Sequence, residues 1–306
     1  MKKALVIGSE GNIGKPLVKH LRSLGWEVLE SDVRPGWRPN YVMCDINHPV
    51  DLVGAALKFN PDVVFGLAAM VSRVTCEQAS SLCVAANMVG LQNMIEIAKL
   101  TNAKFVYFST SEVYGPEVEV MREDGPVHPN NRYGLTKYLG ESLVEHDVKY
   151  HGLDAITLRP FMMYDEEEDL GDHRSAMIRF AYNLAIGKPI EVHEGSARAW
   201  FHVSDAVAAI TAAAEYKGGY MVVNIGAPDI IPIAELAEMI RSRLGASKDL
   251  VKVVPFPGQM TAVKNPTLDR MMKTLGVVPK VSVQEGVDRL CARIRERVLE
   301  HATGIQ

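Results

Sequence analysis

The apolar positions in the first half of the chain alternate between two patterns. Short continuous apolar runs, beginning with residues 4–7, are typical of strands that are buried on both faces of a sheet. Between these runs, apolar residues recur at helical spacing. The pattern predicts strands at 4–7, 28–31, 62–65, 104–108 and 155–158, and helices at 13–24, 52–59, 85–100 and 133–151. This alternation predicts an α/β fold with a parallel, doubly wound sheet.

After residue 160 the predicted elements become shorter, with more prolines between them. They are helices at 175–186, 204–216, 233–244 and 283–300 and strands at 189–192 and 221–224. We therefore expect a main domain over 1–160, to which part of the later chain returns, and a smaller α/β lobe over 161–306. The acidic run at 165–169 is typical of a solvated loop.

The composition excludes several classes of protein. The chain has 306 residues, of which 47% are apolar and 23% charged, which are ordinary globular proportions. A net charge of −4 without a basic block argues against nucleic acid as a partner. The four cysteines show neither a disulfide framework nor a zinc motif, so we predict reduced thiols and no metal site. Because no apolar run approaches the length of a membrane span or of a signal peptide, we expect a cytoplasmic protein.

A glycine-rich turn follows the first predicted strand. Gly8, Gly11 and Gly14 are spaced as GxxGxxG, and Asn12 and Ile13 complete the turn before the first predicted helix. Glycine permits the tight turn and lets the backbone approach a pyrophosphate. The N-terminus of the next helix presents free N–H groups and the positive end of its dipole to the phosphates. The turn therefore predicts a dinucleotide site.

Asp32 ends the second predicted strand. A carboxylate at this place can accept hydrogen bonds from both hydroxyls of an adenosine ribose and would repel a 2′-phosphate. It favours NAD over NADP, although Arg34 and Arg38 lie close by and leave NADP as an alternative. Further candidate cofactor contacts follow the next extended piece and end the third strand: Asp45, Ile46, Leu67, Ala68 and Ala69.

A second group of residues carries candidate chemistry. Tyr133 and Lys137 lie four positions apart, on one face of a predicted helix. An adjacent ammonium, together with a cationic nicotinamide, would lower the pKa of Tyr133 and make it a candidate base for a sugar hydroxyl. Thr110, Ser111 and Glu112 follow the fourth predicted strand, at the edge where open α/β sheets bind ligands.

Several motifs together carry a family resemblance. They are GSEGNIG at 8–14, Asp32, LAA at 67–69, Asn87 in NMVG, STSEVYG at 109–115, YGLTK at 133–137, RPFMMYD at 159–165 and RAWFHVSD at 198–205. With them, the chain resembles the extended short-chain dehydrogenases/reductases of the nucleotide-sugar epimerase/dehydratase family over nearly its whole length. The resemblance implies a Rossmann-type NAD-binding domain, a C-terminal substrate lobe and a nucleotide-diphosphate sugar as substrate.

The resemblance also implies a mechanism. Tyr133 takes the proton of the sugar 4-hydroxyl while a hydride passes from C4 to NAD, and Thr110 hydrogen-bonds the same oxygen. Lys137 binds the nicotinamide ribose and tunes Tyr133, and Asn87 belongs to the cofactor site. The 4-keto sugar then activates a neighbouring C–H bond or carboxyl group, and the hydride is returned.

Glu112 distinguishes between reactions within the family. A Glu at this position is similar to that of 4,6-dehydratases and UDP-glucuronate decarboxylases. In the dehydratases it removes the C5 proton, and we expect a dry pocket to raise its pKa for this work. Alternatively, Glu112 only orders the loop. Ser111 is either the accompanying acid or a hydrogen-bond partner.

The substrate half departs from the family pattern. Met162 stands where the family usually has an Asn that holds the nucleotide diphosphate, Asp165 replaces a Gly, and His202 replaces an aromatic residue. Arg198 matches the position that pairs with the diphosphate, and its forked donor geometry suits that role. Two further substrate-side candidates follow the acidic run: His173 and Arg174.

Three functions stay open from the sequence. The first is an NAD-dependent nucleotide-sugar epimerase or dehydratase, the second a UDP-glucuronate decarboxylase that uses the same 4-keto intermediate, and the third a non-catalytic dinucleotide sensor. The resemblance also implies a homodimer through helices 85–100 and 133–151. Four apolar residues in these helices face either a partner or the chain's own sheet: Leu91, Ile95, Leu139 and Leu143.

Overall fold

The computed structural model of the chain describes residues 1–171, 175–257 and 261–303. His173 and Arg174, both proposed from the sequence as substrate-side residues, lie outside the described residues. Within the described ranges, no helix combines the length and the apolar character needed to cross a membrane.

The described chain forms short strands throughout its length. They are β1 (Lys3–Ile7), β2 (Glu27–Asp32), β3 (Tyr41–Met43), β4 (Val63–Gly66), β5 (Lys104–Phe108), β6 (Ala155–Pro160), β7 (Met163–Tyr164), β8 (Ile190–His193), β9 (Ala197–Ala199), β10 (Phe201–His202), β11 (Val222–Ile225), β12 (Ile230–Pro232) and β13 (Val251–Val254).

Helices alternate with these strands. The α-helices are α1 (Gly14–Ser23), α2 (Val50–Phe59), α3 (Arg73–Gln78), α4 (Ser80–Val84), α5 (Gly90–Leu100), α6 (Arg132–His151), α7 (Ala176–Ala185), α8 (Val203–Glu215), α9 (Ile233–Leu244) and α10 (Val283–Thr303). Two segments are π-helical, Ala85–Val89 and Arg270–Thr274, and two are 3₁₀ turns, Ser111–Val113 and Lys248–Leu250.

Seven strands form one parallel sheet in the order β11-β6-β5-β4-β1-β2-β3. Its register places Leu5 of β1 between Leu29 of β2 and Val64 of β4. From β1 the chain builds one half of the sheet outwards and then returns to build the other half from β4, which confirms the predicted α/β fold with a doubly wound sheet. Ligands bind such sheets at the carboxyl ends of the strands, where the winding direction reverses.

Both faces of this sheet are buried, as the continuous apolar runs predicted. Ala4 and Val6 point into a core that α1 and α8 cover. Leu5 and Ile7 point into a second core that α2 and α5 cover. The strand therefore needs apolar side chains at every position, because neither face meets water.

The later chain contributes to two different parts of the molecule. Val223 and Ile225 of β11, together with α8, pack into the core of the main sheet. In contrast, α7, α9 and α10 form a separate core around Trp200. Three two-stranded sheets accompany these helices, pairing β10 with β7, β12 with β9 and β13 with β8. The division at residue 160 stays a prediction, and the structure shows that β11 belongs to the main sheet.

The acidic run at 165–169 is not a solvated loop, contrary to the expectation. Glu168 is buried and accepts hydrogen bonds from the backbone N–H (3.1 Å) and hydroxyl (2.8 Å) of Ser175, which precedes α7. Glu167 pairs with Arg293 of α10 at 2.7 Å. The prediction was wrong because the partners of these carboxylates are distant in sequence, so the local charge pattern could not show them.

A buried polar network joins β6, β11 and α6. Arg159 donates from Nε (2.9 Å) and Nη2 (2.7 Å) to the two carboxylate oxygens of Glu141. Arg159 also donates to the Tyr114 hydroxyl at 2.9 Å, which in turn donates to Oδ1 of Asn224 at 2.7 Å. Ser109 donates a further hydrogen bond to Glu141. The paired geometry is needed because an unpaired charge at this depth is costly.

We predict that Arg159→Met lowers the free energy of unfolding by about 3–5 kcal/mol, because Glu141 is left buried without its cation. Urea unfolding followed by circular dichroism measures this change. The matched control is Arg289→Met, which removes the cation of an exposed pair with Glu285 on α10 and should cost less than about 1 kcal/mol. Equal losses in the two variants would contradict the assignment.

Candidate active site

The glycine-rich turn lies at the carboxyl end of β1 in a conformation that demands glycine. Gly8 has φ +95°, and a Cβ there would lie 2.7 Å from the backbone nitrogen of Ala68. A Cβ at Gly14 would lie 2.2 Å from the Gly8 carbonyl oxygen. Ile13, at the cap position of α1, offers no side-chain acceptor to the first N–H groups of the helix. These groups are the ones that bind phosphate oxygens at a helix N-terminus, so the turn fits a dinucleotide. Two further residues of the turn that were predicted to contact the cofactor, Gly11 and Asn12, are partly buried.

Asp32 lies at the end of β2, next to the turn. Its two carboxylate oxygens accept the backbone N–H groups of Glu10 (3.0 Å) and Arg34 (3.1 Å). The side chain is buried, and each oxygen keeps a second lone pair for a further donor. The carboxylate is thereby held in place, and it fits the hydroxyls of an adenosine ribose.

Four predicted cofactor residues lie around the end of β4. The N–H groups of Leu67 and Ala68 both donate to the Ile7 carbonyl at 2.9 Å, which brings the carboxyl ends of β1 and β4 together. Ala69 follows them and is partly buried. Asn87 is buried, accepts the Met70 N–H at 2.8 Å, and donates to the Thr136 hydroxyl at 3.0 Å.

Asn87 therefore joins the loop after β4 to α6. It lies within the π-helical turn that precedes α5, and such turns are frequent at functional sites. The sequence predicted a single helix over 85–100, and its periodicity gave no sign of this change in winding. The helical segment also begins earlier, with α3 and α4, than predicted.

The other two predicted cofactor residues differ in burial. Ile46 is buried and packs against Gly90. A Cβ at Gly90 would lie only 2.6 Å from the Ile46 Cγ2. Asp45 is half-exposed and accepts hydrogen bonds from the backbone N–H (2.9 Å) and side-chain amide (3.0 Å) of Asn47. Asp45 thus stabilises a local turn, and its role toward a cofactor stays a prediction.

Tyr133 lies in the first turn of α6. Asn131 caps this helix by accepting the Gly134 N–H at 2.9 Å. Burial raises the pKa of Tyr133 above its ordinary value, a hydrogen bond with Thr110 acts in the opposite direction, and the Glu112 charge raises the pKa further. The sequence predicted a lowered pKa with a cationic nicotinamide nearby. In the protein alone burial dominates, because it withdraws the phenol from water.

Lys137 lies one helical turn after Tyr133, and its side chain is buried. The ammonium lies 4.6 Å from the centre of the Tyr107 ring. Burial lowers the pKa of Lys137 to about 7, and the Glu141 charge, one turn further along α6, acts in the opposite direction. Lys137 can therefore gain or lose its charge near neutral pH, so the electrostatic field at Tyr133 depends on pH.

Glu112 is surrounded by donors from three separate segments. It forms an ion pair and hydrogen bond with Lys264, and a second ion pair with Arg73 at 3.4 Å. Asn131 donates to it at 3.0 Å. Lys264 also donates to the Ser111 hydroxyl at 3.0 Å, which places Ser111 in the same cluster.

The pKa of Glu112 is lowered, and the expectation of a raised pKa was wrong. Burial alone would raise it, but the Lys264 and Arg73 cations together with the Asn131 hydrogen bond outweigh burial. The Glu112 side chain is 15% exposed, and its neighbours in sequence gave no sign of the cations. Glu112 is therefore an ionised acceptor in the protein alone. The Lys264 pKa is lowered by burial, against the pull of Glu112.

Arg198 adds a third cation to this region. It is buried, and its guanidinium donates to the backbone carbonyls of Thr261 (2.7 Å) and Ala262 (2.6 Å). Its charge lowers the pKa of Lys264, whose Nζ is bonded to Glu112. Arg73, Arg198 and Lys264 thus place three cations around one carboxylate.

Sequence reasoning missed Arg73, Asn131 and Lys264. Asn131 carried a local signal, because Asn is a preferred residue before the first turn of a helix. Arg73 and Lys264 lie outside every motif, and only the tertiary fold brings them to Glu112.

The other predicted substrate residues lie beside the C-terminal core. Met162 is partly buried and packs against that core. The ring nitrogens of His202 are engaged by the Ser204 hydroxyl at 2.7 Å and by the Glu166 carboxylate at 3.0 Å. His202 therefore caps α8 and binds the acidic segment, and its contact with a substrate stays a prediction.

Comparisons with known proteins identify related sequences. Residues 4–226 match the NAD dependent epimerase/dehydratase family. The chain is 27% identical over 314 residues to UDP-glucose 4-epimerase of Mycolicibacterium smegmatis, covering 96% of this chain and 99% of that protein. It is 26% identical over 317 residues to UDP-glucuronic acid decarboxylase 1 of Arabidopsis thaliana, covering 99% of this chain and 72% of that protein.

A solved structure shares the fold. UDP-glucose 4-epimerase from Thermotoga maritima, determined with UDP-glucose, superimposes with a TM-score of 0.90 at 23% identity. The match covers 97% of this chain and 99% of that one. The chain therefore shares the arrangement of its sheet and its C-terminal helices with that enzyme.

We predict that Lys137→Met stabilises the cofactor-free protein at pH 6 by about 1–2 kcal/mol, because it replaces a buried ammonium by an apolar side chain of similar length. Lys137 has a pKa of about 7 in the folded chain and 10.5 as the ordinary value. Between these values the unfolded chain binds more protons, so the wild type gains stability as pH rises. The advantage of the variant should therefore shrink towards pH 10.

Thermal unfolding at pH 6, 8 and 10 tests this prediction. Lys149→Met is the matched control, because Lys149 is exposed on the same helix, and it should change stability little at any of these pH values. A Lys137→Met variant that is less stable than the wild type at pH 6 would contradict the assigned burial.

Proposed function

Because the chain belongs to the NAD dependent epimerase/dehydratase family, we propose that it transforms a nucleotide-diphosphate sugar through transient oxidation at C4. The protein is an enzyme and its cofactor is NAD. One observation carries the proposal: Tyr133, hydrogen-bonded to Thr110, lies one helical turn from Lys137. Thr110 follows β5, and the glycine-rich turn follows β1, so both lie at the carboxyl ends of strands in the same parallel sheet. A non-catalytic sensor would need neither the Tyr nor the Lys.

The residues of the chain divide the work between cofactor and substrate. The turn at Gly8 and Gly14 would hold the pyrophosphate, Asp32 the adenosine ribose, and Lys137 the nicotinamide ribose. When bound, NAD supplies a reversible acceptor for a hydride. The geometry of the turn and the anchored carboxylate of Asp32 support these roles.

Tyr133 would act as the base. As the phenolate, which the positive charges of Lys137 and of bound NAD would favour, its oxygen takes the proton of the sugar 4-hydroxyl while the C4 hydrogen leaves with its electron pair, and a C4 carbonyl forms. Thr110 donates to the same oxygen and stabilises its developing charge. Return of the proton and the hydride restores the hydroxyl, so that no net oxidation occurs. The buried site favours this exchange, because it excludes water from the ketone.

In a dehydration, Glu112 would remove the C5 proton while the C6 hydroxyl leaves as water with a proton donated by Ser111, and the hydride would then return to C6. The carboxylate is ionised in the protein alone, which is the state that a base requires. Its ion pair with Lys264 must loosen before it can accept a proton, because the cation stabilises the charged form.

We predict that Tyr133→Phe lowers turnover by about 10²–10⁴-fold while NAD still binds. A panel of nucleotide sugars in deuterated water, followed by NMR, measures turnover and identifies the reaction. Deuterium at C5 with loss of the C6 oxygen indicates a dehydratase, and inversion at C4 without label indicates a 4-epimerase. Near wild-type rates in the variant, or no turnover of any sugar by the wild type, would contradict the proposal.

A uronic acid is a second candidate substrate, and the cation cluster favours it. Arg73, Arg198 and Lys264 bring three positive charges to the region of Glu112. A sugar carboxylate could replace Glu112 as the partner of Lys264, since charged groups of this kind are bound by buried cations. In that case the C4 ketone would promote loss of carbon dioxide from C5. The relationship to a UDP-glucuronic acid decarboxylase supports this alternative.

We predict that Lys264→Met separates the two substrates. If the substrate is a uronic acid, the variant lowers kcat/KM for UDP-glucuronate about 10²-fold more than for UDP-glucose, because the carboxylate loses its buried cation. Carbon dioxide release and NMR measure the two rates. Lys252→Met, at an exposed position of β13, is the control. Equal losses for both sugars would exclude Lys264 as a carboxylate ligand.

We also propose that the enzyme is a homodimer through α4, α5 and α6. Leu91 and Ile95, which the sequence left open, are buried in the chain's own core. Leu139 is 45% exposed, and Leu135 on the same helix and Val89 beside α5 are exposed too. An apolar stripe of this kind favours association with a second copy.

We predict that Leu139→Arg converts the dimer into a monomer, because a charge would be buried at the centre of the interface. Sedimentation velocity measures the molecular mass. Leu57→Arg, at an exposed position of α2, should leave the mass unchanged. A wild type that sediments as a monomer at all concentrations would refute the proposal.

A further inference from the structure

We propose that Glu10 and Glu30 determine the choice between NAD and NADP by holding Arg38 in ion pairs, out of reach of a 2′-phosphate. The inference rests on the proposed placement of the adenosine ribose at Asp32. The inference goes beyond Asp32, because it assigns the selectivity for NAD over NADP to Arg38, whose charge Glu10 and Glu30 neutralise.

Arg38 is bound on three sides. Its Nε donates to Glu30 at 3.1 Å, and Nη2 forms ion pairs with both Glu30 and Glu10. The guanidinium lies over the Tyr41 ring, 4.2 Å from the ring centre. These contacts use the planar face and the fork that an arginine would otherwise present to a phosphate.

Glu30 is a firm anchor for this arrangement. It lies within β2 with its side chain 4% exposed, and it also accepts a hydrogen bond from Arg22 at 2.6 Å. Burial alone would raise the pKa of Glu30, but the hydrogen bonds from Arg38 and Arg22 lower it below the ordinary value. Glu30 is therefore ionised at neutral pH and keeps Arg38 in place.

Glu10 connects this ion pair to the ribose site. It belongs to the glycine-rich turn, and its backbone N–H donates to Asp32 at 3.0 Å. Its carbonyl accepts a hydrogen bond from the Arg34 guanidinium at 2.8 Å. The backbone of Glu10 thus holds Asp32, while the carboxylates of Glu10 and Glu30 neutralise Arg38.

A 2′-phosphate carries nearly two negative charges at neutral pH, so Asp32 would repel it. A free Arg38 could bind it through two parallel hydrogen bonds. Removing the charge of Glu10 should therefore free one donor of Arg38 for the phosphate. We expect NADP to bind about tenfold more tightly relative to NAD in Glu10→Gln, comparable to the effect of one charge-assisted hydrogen bond.

Calorimetric titration of the chain with NAD and with NADP tests the inference without relying on activity. The variants are Glu10→Gln, Glu10→Gln with Arg38→Gln, and Glu10→Gln with Arg34→Gln. Glu27→Gln is the matched control, because Glu27 lies on the same strand as Glu30 and its carboxylate pairs with a different cation, Lys3, at 3.9 Å. Glu10 was chosen because its side chain is 20% exposed, so that the substitution should preserve folding, which thermal unfolding checks.

The proposal expects the gain in NADP affinity with Glu10→Gln, its loss when Arg38 is also replaced, and its survival when Arg34 is replaced. A gain that persists without Arg38 would overturn it, since repulsion by Glu10 alone would then explain the selectivity. A gain that depends on Arg34, or an equal gain with Glu27→Gln, would overturn it too.

Asp32→Asn separates this inference from the placement on which it rests. If that variant leaves the affinity for NAD unchanged, the ribose does not lie at Asp32, and the placement fails together with the inference. If it weakens NAD binding while Glu10→Gln leaves the ratio of the two affinities unchanged, the placement stands and only the role of Arg38 fails.

Discussion

The buried ion pair between Glu112 and Lys264 is the interaction on which the candidate site depends. It connects the segment after β5 to a segment more than 150 positions later. Two charges withdrawn from water are stable only while each has a partner. Any ligand that takes one of them must therefore supply the missing charge or proton, which makes the pair sensitive to what enters.

The same principle explains why the site is costly to the fold. Lys137 is buried beside Tyr107, and burial lowers its pKa to about 7 against the opposing charge of Glu141. Burial likewise raises the pKa of Tyr133. Groups held in such environments are poised to exchange protons. Burying them lowers the free energy of unfolding, and the apolar cores on both faces of the sheet offset this cost.

Local motifs reveal a large part of this molecule. The alternation of apolar runs and helical stretches predicted the doubly wound sheet, because each strand is buried on both faces. Gly8 and Gly14 predicted the turn, and the structure shows why glycine is needed there: a Cβ at either position would clash with backbone atoms. In contrast, Lys264 and Arg73 carry no local signal. Arg73 comes from α3 and Lys264 from the later chain, and only the tertiary fold brings both to Glu112, so the pKa of Glu112 could not be predicted from its neighbours in sequence.

The most direct test of the account is a crystal structure of the chain with NAD and a nucleoside diphosphate. The account predicts the nicotinamide carbon that exchanges hydride beside the Tyr133 hydroxyl, with space for a sugar C4 about 3–3.5 Å from each. It also predicts the diphosphate near Arg198 and the sugar position beside Glu112. A nicotinamide bound far from Tyr133, or a phenol that points into solvent, would contradict the proposed chemistry and leave only the fold.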